Sequence, residues 1–205
     1  MNQKDDLSTN RRRQIHQAAL TCFVRKGYHL ATMDDIVAES GLSKGTLYWY
    51  FPSKKELFVS LLDDTMVQFG EQWQASIDAS DMGAIEKLKT SLTFFKSEMS
   101  SMSPMVNILL EAWALLRHDE EVEQRLREFY LPFVELMTAI IQGGIDEGVF
   151  TVKSPQDSAI VIVTLFDGIL LAISTGLDLG DWDKTLDTAE VMVLRALGAG
   201  SESLG

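Results

Sequence analysis

At 205 residues, 46% hydrophobic and 23% charged, the chain has the composition of a packed globular protein of one large or two smaller domains, not of a disordered one. Its single cysteine excludes an internal disulfide and suits a reducing, cytoplasmic setting. The net charge of −12 excludes a uniformly basic nucleic-acid binder, yet residues 1–60 carry nine Lys/Arg against six Asp/Glu, a local excess of positive charge.

In chain order, a polar arm extends to about Asn10 and leads into Arg11, Arg12 and Arg13. These three suit either phosphate contacts or a solvated helical turn. Ile15, Ala18, Ala19, Cys22 and Phe23 recur at helical spacing, and Gly27 ends that helix. Cys22 reads as a small core residue, since nothing near it in sequence would activate a thiolate. His16 reads as surface or packing and His29 as loop.

The most informative stretch follows. Thr32 caps a short helix, and Asp35 stands three residues on, where a capping box places its acidic partner. Met33, Ile36 and Val37 supply the apolar face. Gly41 provides the left-handed residue of a helix end, Ser43 caps a second short helix and Pro52 stops it. Ser53 and Glu56 then open a third helix. Helix, glycine turn and short helix form the sequence pattern of a helix-turn-helix. The second helix begins with small and basic residues, so its N-terminal end could enter a major groove. Gly45 and Thr46 would allow close approach, and Lys44 and Thr46 could donate to base edges or phosphates. Tyr48, Tyr50 and Lys54 could reach phosphate oxygens. The alternative is a plain helical hairpin with a solvated basic edge.

Leu57, Leu61, Leu62, Phe69 and Trp73 mark a long connecting helix over 54–76, and Asp78 to Gly83 break it. Further helices are expected over 84–102, 105–117, 120–147 (with a kink at Pro132), 156–175 and 183–197. No sustained alternation points to a strand. The longest apolar run, Ala159–Ile173, is short and interrupted by Asp167, so no membrane span is expected. The polar N-terminus has no signal-peptide core. No metal-ligand spacing, phosphate loop or nucleophile motif is present, so no metal, cofactor or catalytic residue is expected.

The run T-x-x-x-I-x-x-x-x-G-L-S-K-G-T-L-Y-x-Y-F-x-S-K-x-E-L, from Thr32 to Leu57, resembles the TetR-like family of transcriptional regulators. The resemblance covers about a quarter of the chain. It implies an all-α protein, with an N-terminal three-helix helix-turn-helix domain followed by a larger helical ligand-binding and dimerisation domain. The expected boundaries are 1–53 for the DNA-binding domain, 54–76 for the connecting helix and 77–205 for the remainder. By the resemblance, Thr32, Ser43, Lys44, Thr46, Tyr48, Tyr50 and Lys54 fall where the family contacts DNA, and Gly45 takes the close-approach position. Trp49 is unusual there, and its role stays open.

The middle helices bring Phe95, Met99, Met102, Met105, Leu109, Trp113, Phe129, Phe133, Met137 and Phe166 towards one interior. Such soft, large side chains either fill a core or surround an adaptable cavity. The resemblance implies that some of them line an effector pocket. Glu98, Glu111 and Asp167 lie near these apolar segments, and a buried one would favour a cationic or hydrogen-bonding ligand. The last two helices carry more apolar residues than one stripe needs. Leu165, Phe166, Ile169, Leu170, Ile173, Val191 and Leu194 therefore suit either a buried helix pair or a pair packed on its own copy. In TetR-like regulators the last two helices typically form a dimeric four-helix bundle. The expected function is a homodimeric, ligand-controlled repressor that binds a two-fold related double-stranded DNA operator and is released by a small hydrophobic or amphipathic effector. A helical protein-interaction module or, less well supported, a helical enzyme is the alternative.

Overall fold

A computed structural model describes residues 3–78, 81–101, 104–116, 119–176 and 179–200. Among them the chain forms nine helices and no strand. These are α1 (Gln3–Leu30), α2 (Met33–Ser40), α3 (Lys44–Tyr50), α4 (Lys54–Ile77), α5 (Ala84–Ser100), α6 (Pro104–Leu116), α7 (Glu120–Asp146), α8 (Pro155–Ser174) and α9 (Trp182–Ala196). The chain therefore has the all-α architecture expected from its periodicity. One expectation fails at the start, because the polar arm is helical from Gln3 onward. Residues 3–14 contain neither Gly nor Pro, so nothing in the segment breaks a helix.

Two compact units arise from these helices. The first comprises residues 1–67 and 104–125, the second 68–103 and 126–205. In the first, Ile15, Ala18, Ala19, Cys22 and Phe23 of α1 are buried together with Ile36 of α2, Leu47 of α3 and Leu57, Phe58, Leu61 and Leu62 of α4. Phe23 meets Phe58 edge-on at 5.7 Å. α6 packs against α1 in this unit and buries Val106, Ile108, Leu109, Ala112 and Leu115.

In the second unit the end of α4 contributes Phe69, Trp73 and Ile77, and α5 contributes Leu88, Leu92, Phe95 and Met99. Phe133, Met137, Ile140 and Ile141 of α7 are buried, as are Ile162, Phe166 and Leu170 of α8 and Leu186, Val193 and Leu194 of α9. The indole of Trp73 donates to Ser91 Oγ at 2.9 Å, which satisfies two polar groups inside the core. Gly83 offers α5 no side-chain cap. The Glu147 carboxylate replaces one, accepting the Ala84 N–H at 3.0 Å. Lys96 ties α5 to α9 through Asp187.

Candidate nucleic-acid interface

The helix-turn-helix is built from local rules. Thr32 Oγ1 accepts the Asp35 N–H at 3.1 Å, while the Asp35 carboxylate accepts the Thr32 N–H at 3.0 Å. This closes a capping box at the start of α2. Asp35 also holds Lys26 at 2.7 Å. That bond, aided by those from Thr32, keeps its carboxyl well below the ordinary value, at about 2. Gly41 ends α2 at φ 66°, a left-handed conformation that an L side chain resists. Ser43 Oγ accepts the Thr46 N–H at 3.1 Å and starts α3. Leu47 is the buried anchor of α3, and Phe51 is buried just beyond it.

With Leu47 turned inward, the rest of α3 faces out. Ser43, Lys44, Gly45, Tyr48 and Trp49 are exposed, and Thr46 and Tyr50 are half-buried. Thr32 is exposed at the start of α2. Trp49, whose role the sequence left open, is 75% exposed, so it does not anchor the core. Its ring stands edge-to-face with Tyr50 at 4.6 Å. Lys44 pairs with Asp34 at 2.7 Å, and this hydrogen bond raises its pKa, keeping it cationic. On α1, Arg12 donates to Ser60 Oγ at 2.9 Å and covers the Phe51 ring. His16 is buried, with Nδ1 on Asp64 at 2.9 Å. It is a packing residue, and burial lowers its pKa against the opposing pull of Asp64.

The structure corrects the expectation for Lys54. Its ammonium does not face outward as a phosphate ligand. It donates to the carbonyls of Tyr28 at 2.6 Å, Ala31 at 2.9 Å and His29 at 3.2 Å, and it lies 4.5 Å from the Tyr28 ring centroid. Burial accordingly lowers its pKa. An ammonium has three donors, and here three carbonyls at the end of α1 take them. His29, expected in a loop, lies in the last turn of α1 beyond the break at Gly27.

The residues expected around an effector divide between the units. In the second unit Phe95, Phe129, Phe133 and Phe166 join one aromatic cluster. Phe69 and Trp73, which the sequence assigned only to a helical stripe, belong to it too, with Trp73 and Phe133 at 4.1 Å. Met99 and Met137 are buried in the same unit. Leu109, buried, and Trp113, half-buried, lie in the first unit, and Met102 lies outside the described residues. Beside the cluster, Tyr130 meets Phe129 at 5.3 Å, and its hydroxyl faces the Asp167 carboxylate. Burial pushes Asp167 up to about 6, and the Tyr130 hydroxyl holds it back.

The structure also redirects three of the residues expected on a subunit interface. Phe166, Leu170 and Leu194 are buried within the second unit, facing its own core. Leu165 is exposed, and Ile169, Ile173 and Val191 are half-buried. The outward apolar row on α8 includes Val161 and Leu171, 62% and 52% exposed, and α9 adds Met192 at 62%. Among the described residues, no group of His, Cys, Asp and Glu is placed to hold a metal ion.

Two family profiles match the chain. One, bacterial regulatory proteins of the tetR family, covers residues 15–61, and the other, the C-terminal part of the BetI-type transcriptional repressor, covers 94–197. The chain belongs to the TetR family. Among similar proteins is the HTH-type transcriptional regulator YfiR of Bacillus subtilis, 33% identical over 167 residues and 78% of each chain. The HTH-type transcriptional repressor AcnR of Corynebacterium efficiens is 24% identical over 191 residues, 93% of this chain and 96% of its own. A TetR transcription regulator from Haloarcula marismortui shares the fold with a TM-score of 0.80 at 23% identity, over 92% of this chain and 97% of that one. Membership of the TetR family makes this protein a DNA-binding transcriptional regulator, not an enzyme.

Proposed function

We propose that this TetR-family protein is an effector-responsive repressor. It binds a two-fold related operator as a homodimer in the cytoplasm and leaves it when a small hydrophobic or amphipathic molecule binds. Residues 1–53 form the DNA-binding domain, 54–76 the connecting helix and 77–205 the effector-binding and dimerisation domain. The observation that carries the reading is the capped helix-turn-helix whose short second helix turns Lys44, Gly45, Tyr48 and Trp49 to solvent. That face lies in the part of the chain with net positive charge, as phosphate binding requires. Ser43, Thr46 and Tyr50 complete the contact surface with Thr32.

The apolar row of Val161, Leu165 and Leu171, with Met192, supports dimerisation through α8 and α9, because exposed apolar rows of this kind mark interaction surfaces. α8 is long and apolar enough to cross a membrane. Its Phe166 and Leu170 are nevertheless packed in a protein core, and Asp167 lies between them. The aromatic cluster of the second unit, bordered by Asp167 and Tyr130, suits an effector with an apolar body and a cationic or hydrogen-bonding group.

Selection of duplexes from a random-sequence pool tests the reading, followed by titration of the recovered duplex across a salt series. A two-fold related site and affinity that falls steeply with salt are expected. Recovery of no duplex, or binding indifferent to salt, would refute it. A library of small amphipathic molecules, scored by release of that duplex, tests effector control.

A further inference from the structure

Gly27 interrupts α1 at φ 74° and ψ 157°, outside helical geometry. The break removes the Tyr28 N–H from the helical ladder, and such a group needs an acceptor. It finds one 83 residues away in sequence, where the Glu111 carboxylate on α6 accepts it at 2.9 Å. The Tyr28 carbonyl is held at the same time by the Lys54 ammonium at 2.6 Å. Both backbone polar groups of one residue are thus held by opposite charges from two other helices. The Tyr28 ring completes the joint, edge-on to Phe58 at 4.9 Å. Glycine is needed at position 27 for its positive φ and not for space, since an added Cβ would stand in ordinary contact, 3.5 Å from Glu111 Oε1.

Two features give this joint more than a local role. The corner it fixes runs from Gly27 to Ala31, closed by the Ala31 N–H on the Gly27 carbonyl, and leads directly into the Thr32 capping box of α2. The segment that supplies Glu111, residues 104–125, belongs to the same compact unit as the helix-turn-helix, but both its ends continue by covalent bond into the other unit. The far part of the segment is clasped as well, with Lys55 on Asp119 at 2.9 Å and on Glu121 at 3.0 Å. Those pairs are partly exposed, and exposed pairs contribute little. Glu111 is half-buried and bonds a backbone group that has left its ladder, so its loss has the larger effect.

We propose that Glu111 is a positioning residue for DNA binding, through which the placement of residues 104–125 sets the α1–α2 corner and hence the presentation of α3. A shift of α6 withdraws the carboxylate, frees the Tyr28 N–H and loosens the entry to the helix-turn-helix. Coupling is reciprocal, so DNA bound at α3 must in turn tighten α6. The proposal rests on the DNA-binding reading above.

Its test uses the full-length protein and a duplex recovered by the wild type from a random pool. Failure to recover any duplex would count against the proposed function and not against Glu111. Wild type, Glu111→Gln and Glu111→Ala are compared by duplex affinity and by hydrogen exchange over residues 27–31 and 104–116, with and without duplex. In wild type, the duplex should slow exchange in both segments. Glu111→Gln retains an acceptor oxygen and should stay within about twofold of wild type. Glu111→Ala should lose about five- to tenfold in affinity, the effect of one unmet hydrogen bond, and the duplex should no longer slow exchange over 104–116. Unchanged affinity in Glu111→Ala overturns the proposal. So does weakened affinity with the 104–116 response intact, since that outcome makes Glu111 a prop and not a link. Should Glu111→Ala fail to fold, Glu111→Asp, which withdraws the acceptor by one methylene, is read by the same two criteria.

Discussion

Asp167→Asn should stabilise this protein increasingly as pH rises above the ordinary carboxylate range. Burial raises the Asp167 pKa from 3.8 to about 6 even though the Tyr130 hydroxyl favours the ionised form. Each tenfold change in proton affinity corresponds to about 1.4 kcal/mol, so the displacement represents about 3 kcal/mol of unfavourable burial once the carboxyl is ionised. The sign follows from proton counting. Below pH 3.8 both folded and unfolded chains hold the proton, and the group contributes no difference. Between 3.8 and about 6 the folded chain holds it while the unfolded chain has released it, so stability falls as pH rises. Above that range both are ionised and the loss is complete. Asparagine has nearly the same shape, can still accept from Tyr130 and does not titrate. The stability difference between Asp167→Asn and wild type should therefore be small near pH 4 and grow to about 1–3 kcal/mol by pH 7.5. Urea unfolding of both proteins across that range measures it, and the other titrating groups cancel in the difference. Tyr130→Phe should move the inflection to higher pH, because the hydroxyl that favours ionisation is gone. A difference that is flat with pH would refute the reasoning.

Lys44→Ala and Lys54→Ala should separate contact from scaffold. The first should leave the melting temperature unchanged and lower the salt slope of DNA binding by about 0.9. The second strips the Tyr28, His29 and Ala31 carbonyls of their shared donor and should lower stability by about 1–3 kcal/mol in denaturant titration. Leu165→Glu with Met192→Glu should give a folded monomer by sedimentation and circular dichroism, whereas Phe166→Glu, placed in the core, should unfold the chain. A fully dimeric Leu165→Glu/Met192→Glu protein would remove the α8–α9 face from the interface. Gly41→Ala meets open space but must hold φ 66°, so thermal or urea unfolding should show a loss of only about 1 kcal/mol. Gly144→Ala should lose more, about 1–3 kcal/mol or beyond, because its Cβ would fall 2.0 Å from Phe150.

The amino-acid sequence alone determined the features whose physics is local. Capping at Thr32 and Ser43 operates over three residues, and the turn at Gly41 depends on one residue's allowed φ, so both are legible without a fold. The order and approximate extent of the helices follow from a 3.6-residue period, whereas the outward face of α3 is known only once Leu47 is seen to be its buried anchor. Periodicity did not say which apolar residues of α8 turn inward. Nearly every position there is apolar, so the choice of Phe166 and Leu170 for the core and of Val161 and Leu171 for the surface waits on the helices packed against it. Long side chains escaped sequence reasoning for a related reason. A lysine at position 54 suits a phosphate as well as it suits the end of α1, and only the proximity of the Tyr28, His29 and Ala31 carbonyls decides between them. Glu111 and Asp167 were visible as acids near apolar segments, but their partners, the Tyr28 N–H and the Tyr130 hydroxyl, stand on other helices. The affinity of such a group for its partner depends on distance and burial, and tertiary packing sets both.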